Sequence, residues 1–389
     1  MGGVLGEFAQ MLIVENINTS NKKQVERFID LPFRLYAGCE YWVPPIRTDV
    51  ALMLNREKHP FYEHSTADFF IAVRNGRDVG RIAAIVNNNY NKYHNKSTAQ
   101  FYLFECEDDL DAAKGLFNQL FEWAIARDLN TVIGPKGFGP LDGYGLLETG
   151  YEQRQMMNMM NYNYAYYLRL VEEQGFEKEV DFVSHYVATE TFQLDERIHR
   201  IAERVSKRRN LRVLNFNSKK ELRRWSNRLG QAYNSAFVDN WEYVPLTDNE
   251  IQFVLDNILT IANPKLIKAI AHEDDIVGFA LGFPDVSAAM QRAKGKLFPF
   301  GIIHLLLGLR RTNGLAANGL GILPQFHGRG GNALLYSELE KTIRDFGYEY
   351  CEMTQVAETA VQMRQDLENI GGVPYKNHRV YVKHLTSAR

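Results

Sequence analysis

Read for the spacing of its apolar residues, the chain passes twice through one order of strands and helices, and that repetition narrows its possible folds more than any other feature. In the first pass MLIVENI reads as a strand and KKQVERFIDLPFRLY as a helix. DFFIAVRNGRDVGRIAAIVN is a hairpin turning at Asn75-Gly76, a pair that readily takes positive φ at both turn positions. TAQFYLFEC is a strand, Asp111 to Leu129 a helix with Ala113, Leu116, Phe117, Leu120, Phe121 and Ala124 on one face, and TVIG a strand. YNYAYYLRLVEEQGF, closed by Gly175, is a helix, and DFVSHYVAT a strand. The second pass runs through the strand LRVLNF, the helices KELRRWSNRLGQAYNSAF and TDNEIQFVLDNILTIA, and a hairpin around Asp274-Asp275. After the apolar insertion LFPFGIIHLLLGL come the strand NGLGIL, a glycine-rich turn, and a helix using Leu335, Leu339, Ile343 and Phe346 that stops at Gly347. YEYCEMTQV, VQMRQDLENIGG and RVYVKHL close it as strand, helix and strand. The expectation is an α/β (α+β, mixed-sheet) chain of two lobes, 1–195 and 196–389, with the boundary near Gln193 to His199. Two unrelated α/β domains of similar length are the alternative.

The length of 389 residues suits two domains, each able to bury a core. With 45% hydrophobic and 24% charged residues the composition is that of a soluble globular protein. A net charge of −2 argues against a broad nucleic-acid surface, so no nucleic-acid partner is expected. Cys39, Cys106 and Cys351 are odd in number and without CxxC spacing, which predicts neither a disulfide framework nor a metal site. The reading is a reducing, cytoplasmic setting. No basic region and cleavage site marks a signal peptide, and the MGG opening does not complete a myristoylation pattern. LFPFGIIHLLLGL falls short of the ~20 residues a spanning helix needs, so no stable membrane insertion is expected. It reads as a buried helix, a pocket wall or an interfacial segment.

The turn after NGLGIL places Gly328, Gly330 and Gly331 around Arg329 just before a helix. Glycine lets another group come close to the backbone, at an entropic cost that a plain turn has no need to bear three times. A helix N-terminus offers unpaired N–H groups and the positive end of a dipole, so such a turn can hold an anion. Donors from Phe326 to Asn332 would converge on phosphate oxygens. The pattern Q-x-x-G-x-G, Gln325 to Gly330, is neither a Walker loop nor a dinucleotide fingerprint.

The order strand, P-Q-F-H-G-R-G-G, amphipathic helix, strand, helix, closing strand resembles the GCN5-related N-acetyltransferase (GNAT) superfamily, whose phosphate motif is written [QR]-x-x-G-x-[GA]. The resemblance covers Leu211 to Leu385 well and the first half in element order only. By YWVPP, LFPFG and the late Y-K-x-H-R-V-Y, the whole chain also resembles a group of tandem GNAT-like proteins. It implies acetyl-CoA or a longer acyl-CoA as co-substrate, bound around Ile322, Leu323, Gln325, Phe326, His327, Gly328, Arg329, Gly330, Gly331 and Asn332. It also implies direct transfer, with an amine attacking the thioester carbonyl and the N–H of Ile322 or Leu323 meeting the oxyanion. The family's usual tyrosine, four residues before the closing Gly371, is Leu367 here, and its usual asparagine is Ala360. Tyr375 or Tyr381 would substitute as the acid. Glu358, then Glu352, are the candidate bases, each weighed against a solvated or capping role. His327 would face coenzyme or solvent, and Arg329 would either pair with phosphate or stay solvated.

The first pass offers a contrast at the equivalent junction. FECEDDLDAAKGL carries Glu105, Glu107, Asp108, Asp109 and Asp111 and no glycine turn. Acidic side chains cap a helix but repel a pyrophosphate. That lobe is expected to be degenerate, supplying structure, part of the acceptor pocket, or both. Its loop GPKGFGPLDGYGLLETG reads as turn-rich rather than ligand-binding. The insertion from Met290 to Arg311 would wall a long-chain acyl pocket or shield the edge of the hairpin. The functional expectation is an acyl-CoA-dependent N-acyltransferase, N-acetylation foremost, with a small-molecule or amine acceptor. The alternatives are a non-catalytic acyl-CoA sensor and a tandem-GNAT aminoacyl or N-acyl amino acid transferase. Oligomeric state stays open.

Overall fold

Local sequence sets most of the boundaries. In the computed structural model, which describes residues 11–385 apart from 140–141, 158 and 209–210, the first half builds β1 (Leu12–Asn16), α1 (Lys22–Leu35), α2 (Arg47–Met53), β2 (Thr66–Arg74), β3 (Arg77–Val86), α3 (Asn88–His94), β4 (Thr98–Cys106), α4 (Leu110–Ile125), β5 (Thr131–Gly134), β6 (Leu146–Thr149), α5 (Tyr166–Glu172) and β7 (Glu177–Ala188). The MGG opening lies outside the described residues. The second half builds α6 (Glu196–Lys207), β8 (Arg212–Asn215), α7 (Lys219–Ala236), α8 (Asp248–Ile261), β9 (Ile267–His272), β10 (Asp275–Pro284), α9 (Ser287–Ala293), α10 (Gly301–Arg311), β11 (Gly314–Ile322), α11 (Gly331–Phe346), β12 (Tyr350–Ala357), α12 (Val361–Asn369) and β13 (Val373–His384).

Turn and cap chemistry explain the ends. Asn75 and Gly76 take φ of 52° and 77° and turn β2 into β3 as the sequence predicts. The second hairpin turns on Glu273-Asp274, one residue earlier than expected, with His272 facing Asp275 and Glu273 at φ 55°. Thr247 and Glu250 form a reciprocal capping box at the start of α8, and Gly347, at φ 68°, stops α11.

All strands join one 13-stranded sheet in the order β1-β2-β3-β4-β5-β13-β7-β12-β11-β10-β9-β8, with β6 beside β13. The final strands cross between the halves. β13 lies antiparallel to first-half β5, Tyr381 opposite Gly134, while β7 lies antiparallel to second-half β12, Val187 opposite Cys351. Each half's sheet is therefore continued by the other half's last strand.

Two layers of helix cover the second half of the sheet. α11 packs on one face through Leu334 and Leu335 against Ile270, Val277 and Ile322, and α6 lies beside it with Ala202 buried. Leu222 and Leu229 of α7 and Ile258 and Leu259 of α8 close the other face over Phe279 and Phe283. The insertion folds as a helical hairpin in which α9 and α10 meet at small residues; a Cβ on Gly308 would lie 2.6 Å from that of Ala289. No helix among the described residues is long and apolar enough to cross a membrane.

Candidate active site

The glycine turn is built much as its composition predicts, with its donors divided. Gly328 and Gly330 take φ of 71° and 83°, and no side chain caps the start of α11. The N–H groups of Phe326, His327 and Arg329 are spent inside the turn, on the carbonyls of Leu323, Pro324 and Phe326. Those of Gly328, Gly330, Gly331 and Asn332 have no partner among the described residues, which leaves four free donors at the helix N-terminus. The guanidinium of Arg329 stands 4.9 Å over the Phe326 ring, His327 Nε2 lies 2.9 Å from the Ile322 carbonyl, and Gln325 is exposed.

The strand that feeds this turn parts from its neighbour. β11 and β12 pair in parallel from Gly314 opposite Tyr350 to Ala317 opposite Met353. Beyond that, both strands bulge at one level. Asn318 and Gly319 face Leu281 alone on β10, and Thr354 and Gln355 face Ser184 alone on β7. Gly319 and Gln355 take φ of 106° and 50°. Leu323 donates its N–H to the Val277 carbonyl at 2.9 Å, so strand alternation turns the Ile322 N–H the other way, into the gap. Of the two expected oxyanion donors, Ile322 is the free one.

A cavity of about 450 Å³ opens where the strands part. It passes through the sheet. On the α11 side it is lined by Leu315, Tyr336, Ile343, Leu367 and Ile370, and on the other by Tyr233, Phe237 and Leu281. Its far end belongs to both halves. The first-half loop after β5 contributes Lys136, Gly137, Gly139 and Tyr144, and the α7–α8 loop contributes Asp239 to Val244. Tyr144 and Phe182 stack at 5.1 Å, with Trp241 edge-on to Phe182 at 5.5 Å. Gln355 fixes the loop by donating Nε2–H to the Tyr144 carbonyl at 2.9 Å.

Within this aromatic end sits a buried ion pair. Glu242, its side chain 5% exposed and its φ 53°, accepts from Lys136 Nζ at 3.2 Å and Lys96 Nζ at 2.7 Å. Burial by itself would raise the Glu242 carboxyl, but the two ammonium groups outweigh it and hold the pKa below its ordinary value. Burial lowers the Lys136 ammonium against the pull of Glu242, and the ammonium rests 4.4 Å from the Tyr90 ring. Gln100 lines the same cavity with both amide atoms unpaired among the described residues, and Tyr336 presents an unpaired hydroxyl. The sequence reading had passed over all of these. The one signal in the sequence is the glycine-rich loop that holds Lys136.

The three carboxylate and hydroxyl candidates are not gathered at this cavity. Glu358 falls between the lining residues Ala357 and Thr359, yet its carboxylate turns away to the Asp181 N–H at 3.0 Å and Lys178 Nζ at 2.9 Å. Glu352 alternates between the lining residues Cys351 and Met353, so it faces elsewhere, buried with Lys376 Nζ at 3.4 Å. Burial raises its pKa, partly offset by Lys376. Tyr381 belongs to the first-half core, its hydroxyl donating to Glu172 at 3.0 Å. Tyr375 is held beside Lys376 at 3.0 Å. Leu367 and Ala360, at the positions where the resemblance implies a tyrosine and an asparagine, do line the cavity.

The equivalent ground in the first half is filled. β4 and β5 stay joined past their parallel pairing through the Lys136 N–H to the Phe101 carbonyl at 2.9 Å. Tyr36 and Tyr167 close on the buried Glu105 carboxylate at 2.7 and 2.8 Å, and Asp109 caps α4 while pairing with Arg74 at 2.8 Å.

Two halves of similar element order in one sheet, with a glycine turn and parted strands in the second, define the class, and the chain has the tandem GNAT fold. A solved tandem GNAT protein from the clavulanic acid biosynthesis pathway superposes with a TM-score of 0.58 over 97% of this chain and 100% of that one, at 9% identity. In sequence the chain is 29% identical over 377 residues to a bacterial ceramide synthase of Caulobacter vibrioides, covering 93% of this chain and 95% of that protein. It is 25% identical over 374 residues to protein YghO of Escherichia coli, covering 94% of each. No family model matches the chain.

Proposed function

We propose that this chain transfers a fatty acyl group from acyl-CoA to the primary amine of a long-chain amino alcohol, forming an amide. The observation that carries the reading is the cavity through the sheet, which β11 lines as far as Leu320, a few residues before the glycine turn, and which holds the buried Glu242 at its far end; no residue of the turn itself lines it. The free N–H groups from Gly328 to Asn332 suit the pyrophosphate, and the gap between β11 and β12 suits the thioester arm. Its volume of about 450 Å³ is within the ~300–1,000 Å³ usual for ligand sites, and its walls beneath α11 and α12 are apolar, as a hydrocarbon chain requires. A ceramide is the amide of such an amine, and a protein bearing the name bacterial ceramide synthase is 29% identical to this chain.

The chemistry asks little of the protein. The acceptor arrives as an ammonium and must lose a proton before its nitrogen can attack. Glu242, ionised and lining the cavity, takes that proton onto its carboxylate through water. As the nitrogen bonds to the thioester carbon, the carbonyl electrons move to oxygen, which takes the Ile322 N–H. The C–S bond then breaks with the electron pair on sulfur. The Tyr336 hydroxyl, kept protonated by burial, is the cavity donor for that thiolate. A thiol with pKa near ~8.5 leaves without much help, so the tyrosine matters less than Glu242.

Leu367 and Ala360 keep a second reading in play, a sensor that binds acyl-CoA without turnover. The test is release of free CoA thiol from palmitoyl-CoA in the presence of sphinganine, with the amide product identified by mass. Thiol release that depends on the amine supports transfer, with Glu242→Gln lowering kcat/KM by about a hundredfold. Binding without release supports the sensor. Gly328 faces open space, so Gly328→Glu adds a repelling carboxylate without a packing clash. Unchanged acyl-CoA affinity in that variant would take the glycine turn out of the site.

A further inference from the structure

The insertion does not wall the cavity, and its outer face is bare. Among the described residues Phe298 is 78% exposed, Phe300 69%, Ile303 50%, Leu306 55% and Leu307 39%. Solitary exposed apolar side chains are ordinary; five within ten residues form a patch. They are not spare core. The opposite side of α10 already packs inward through Leu305 and Leu309, and Gly301 and Gly308 are buried. Ile303, Leu306, Leu307, Arg310 and Arg311 then follow at helical spacing along the outer side.

The charge around the patch is of one sign. Arg292, Lys294, Lys296, Arg310 and Arg311 are all exposed, and no hydrogen bond or ion pair holds the side chain of any of them among the described residues. No Asp or Glu occurs from Val286 to Ser337, in a chain whose net charge is −2. A second copy of this face would bring like charge against like. An anionic surface that is also apolar beneath is what the combination fits. The 11 residues of α10 extend only about 16 Å, against the ~30 Å of a hydrocarbon core, so the helix lies along a surface and does not cross it.

We propose that the face formed by Phe298, Phe300 and the outer side of α10 docks the protein on an anionic lipid bilayer. The five apolar side chains enter the boundary between headgroups and acyl chains, and the five cations meet lipid phosphates. Only Thr312 and Asn313 separate α10 from β11, the strand that borders the cavity. Docking therefore fixes α10 at the membrane two residues from the start of that strand. The proposal stands independently of acyl transfer, since it requires binding and no turnover.

The experiment is vesicle co-sedimentation of the full chain. Vesicles of phosphatidylcholine are compared with vesicles in which roughly one lipid in three is phosphatidylglycerol. The expected result is sedimentation with the anionic vesicles only, weakening as ionic strength rises. Phe298→Ser with Phe300→Ser should lower the partition coefficient by about tenfold or more. Both positions are open to solvent, and serine suits the helix N-cap at residue 300, so circular dichroism and melting temperature should be unchanged. Lys294→Glu with Lys296→Glu should lower binding by about fivefold per charge or more and remove the preference for anionic lipid. The proposal is overturned if the wild type stays in the supernatant, or if the serine pair sediments as well as the wild type. It is equally overturned if that pair instead converts a dimer to a monomer in light scattering, which would give the face to a second copy.

Discussion

At the scale of single residues, His378 shows how a motif legible in sequence can serve structure. The run Tyr375 to Tyr381 carried part of the family resemblance, and its alternate residues bury Lys376, His378 and Val380. His378 is fully buried, its Nε2 3.0 Å from the Asn161 carbonyl and its Nδ1 without a partner among the described residues. Burial pushes its pKa down to about 4. The unfolded chain, with an ordinary histidine near ~6.5, takes up a proton that the native protein refuses. Stability is therefore complete above that value and falls as pH drops toward 4. By pH 5 the loss from this one residue is about 2 kcal/mol. His59, also lowered to about 4 by burial, acts in the same direction. Urea midpoints at neutral pH and at pH 5 should lie closer together in His378→Gln than in the wild type; equal pH slopes would show that His378 is not the group responsible.

Elements with strong local signals were readable, and those defined by distant partners were not. Asn75-Gly76 and the stop at Gly347 each act within a few residues, so a hairpin turn and a helix end followed from the chain. α6 did not: Glu196 to Lys207 is half charged and overlaps the expected boundary between the passes, although Ile198, Ala202 and Val205 stand at helical spacing and pack in one cluster with α11. Tyr381 enters as a substitute for the tyrosine that the family resemblance implies at Leu367, and Glu352 by its place on the strand before Glu358, whereas Glu242 reaches the cavity on a loop between two helices, where no spacing rule points. The unforeseen helix changes how the turn must be probed. A Cβ on Gly330 would meet Val205 Cγ2 of α6 at 2.7 Å and would sit at a φ of 83°, whereas Gly328 has the positive φ but nothing within 4 Å. Gly330→Ala should thus cost about 2–3 kcal/mol in denaturant unfolding and Gly328→Ala about 1. Val205→Ala should recover part of the larger loss when combined with Gly330→Ala. Strict additivity in that double-mutant cycle would mean that α6 does not press on the turn.

At the scale of the whole molecule, the crossing of final strands decides how the protein must fold. Two successive passes through one plan suggest two lobes able to stand alone, which is what pattern reading by itself expects. β13 instead lies between β5 and β7, with Val180 and Val380 fully or almost fully buried in the seam beside Ile133 and Phe182. Arg379 grips Asp181 by donating from Nε and Nη2, at 2.9 and 3.1 Å, and the sheet continues unbroken from β1 to β8. Removing β13 would strip ladder partners from β5, β6 and β7 together and leave their backbone groups unpaired. A chain ended after Gly372 is therefore expected to lose the first half's structure as well as the second's, although it deletes no first-half residue. Calorimetry of the full chain should show one transition, with the calorimetric and van't Hoff enthalpies in agreement. Residues 1–195 expressed alone should lack the cooperative melt. Two separated transitions, or an isolated first half that melts cooperatively, would mean that each lobe closes its own sheet and that the exchanged strands only adhere.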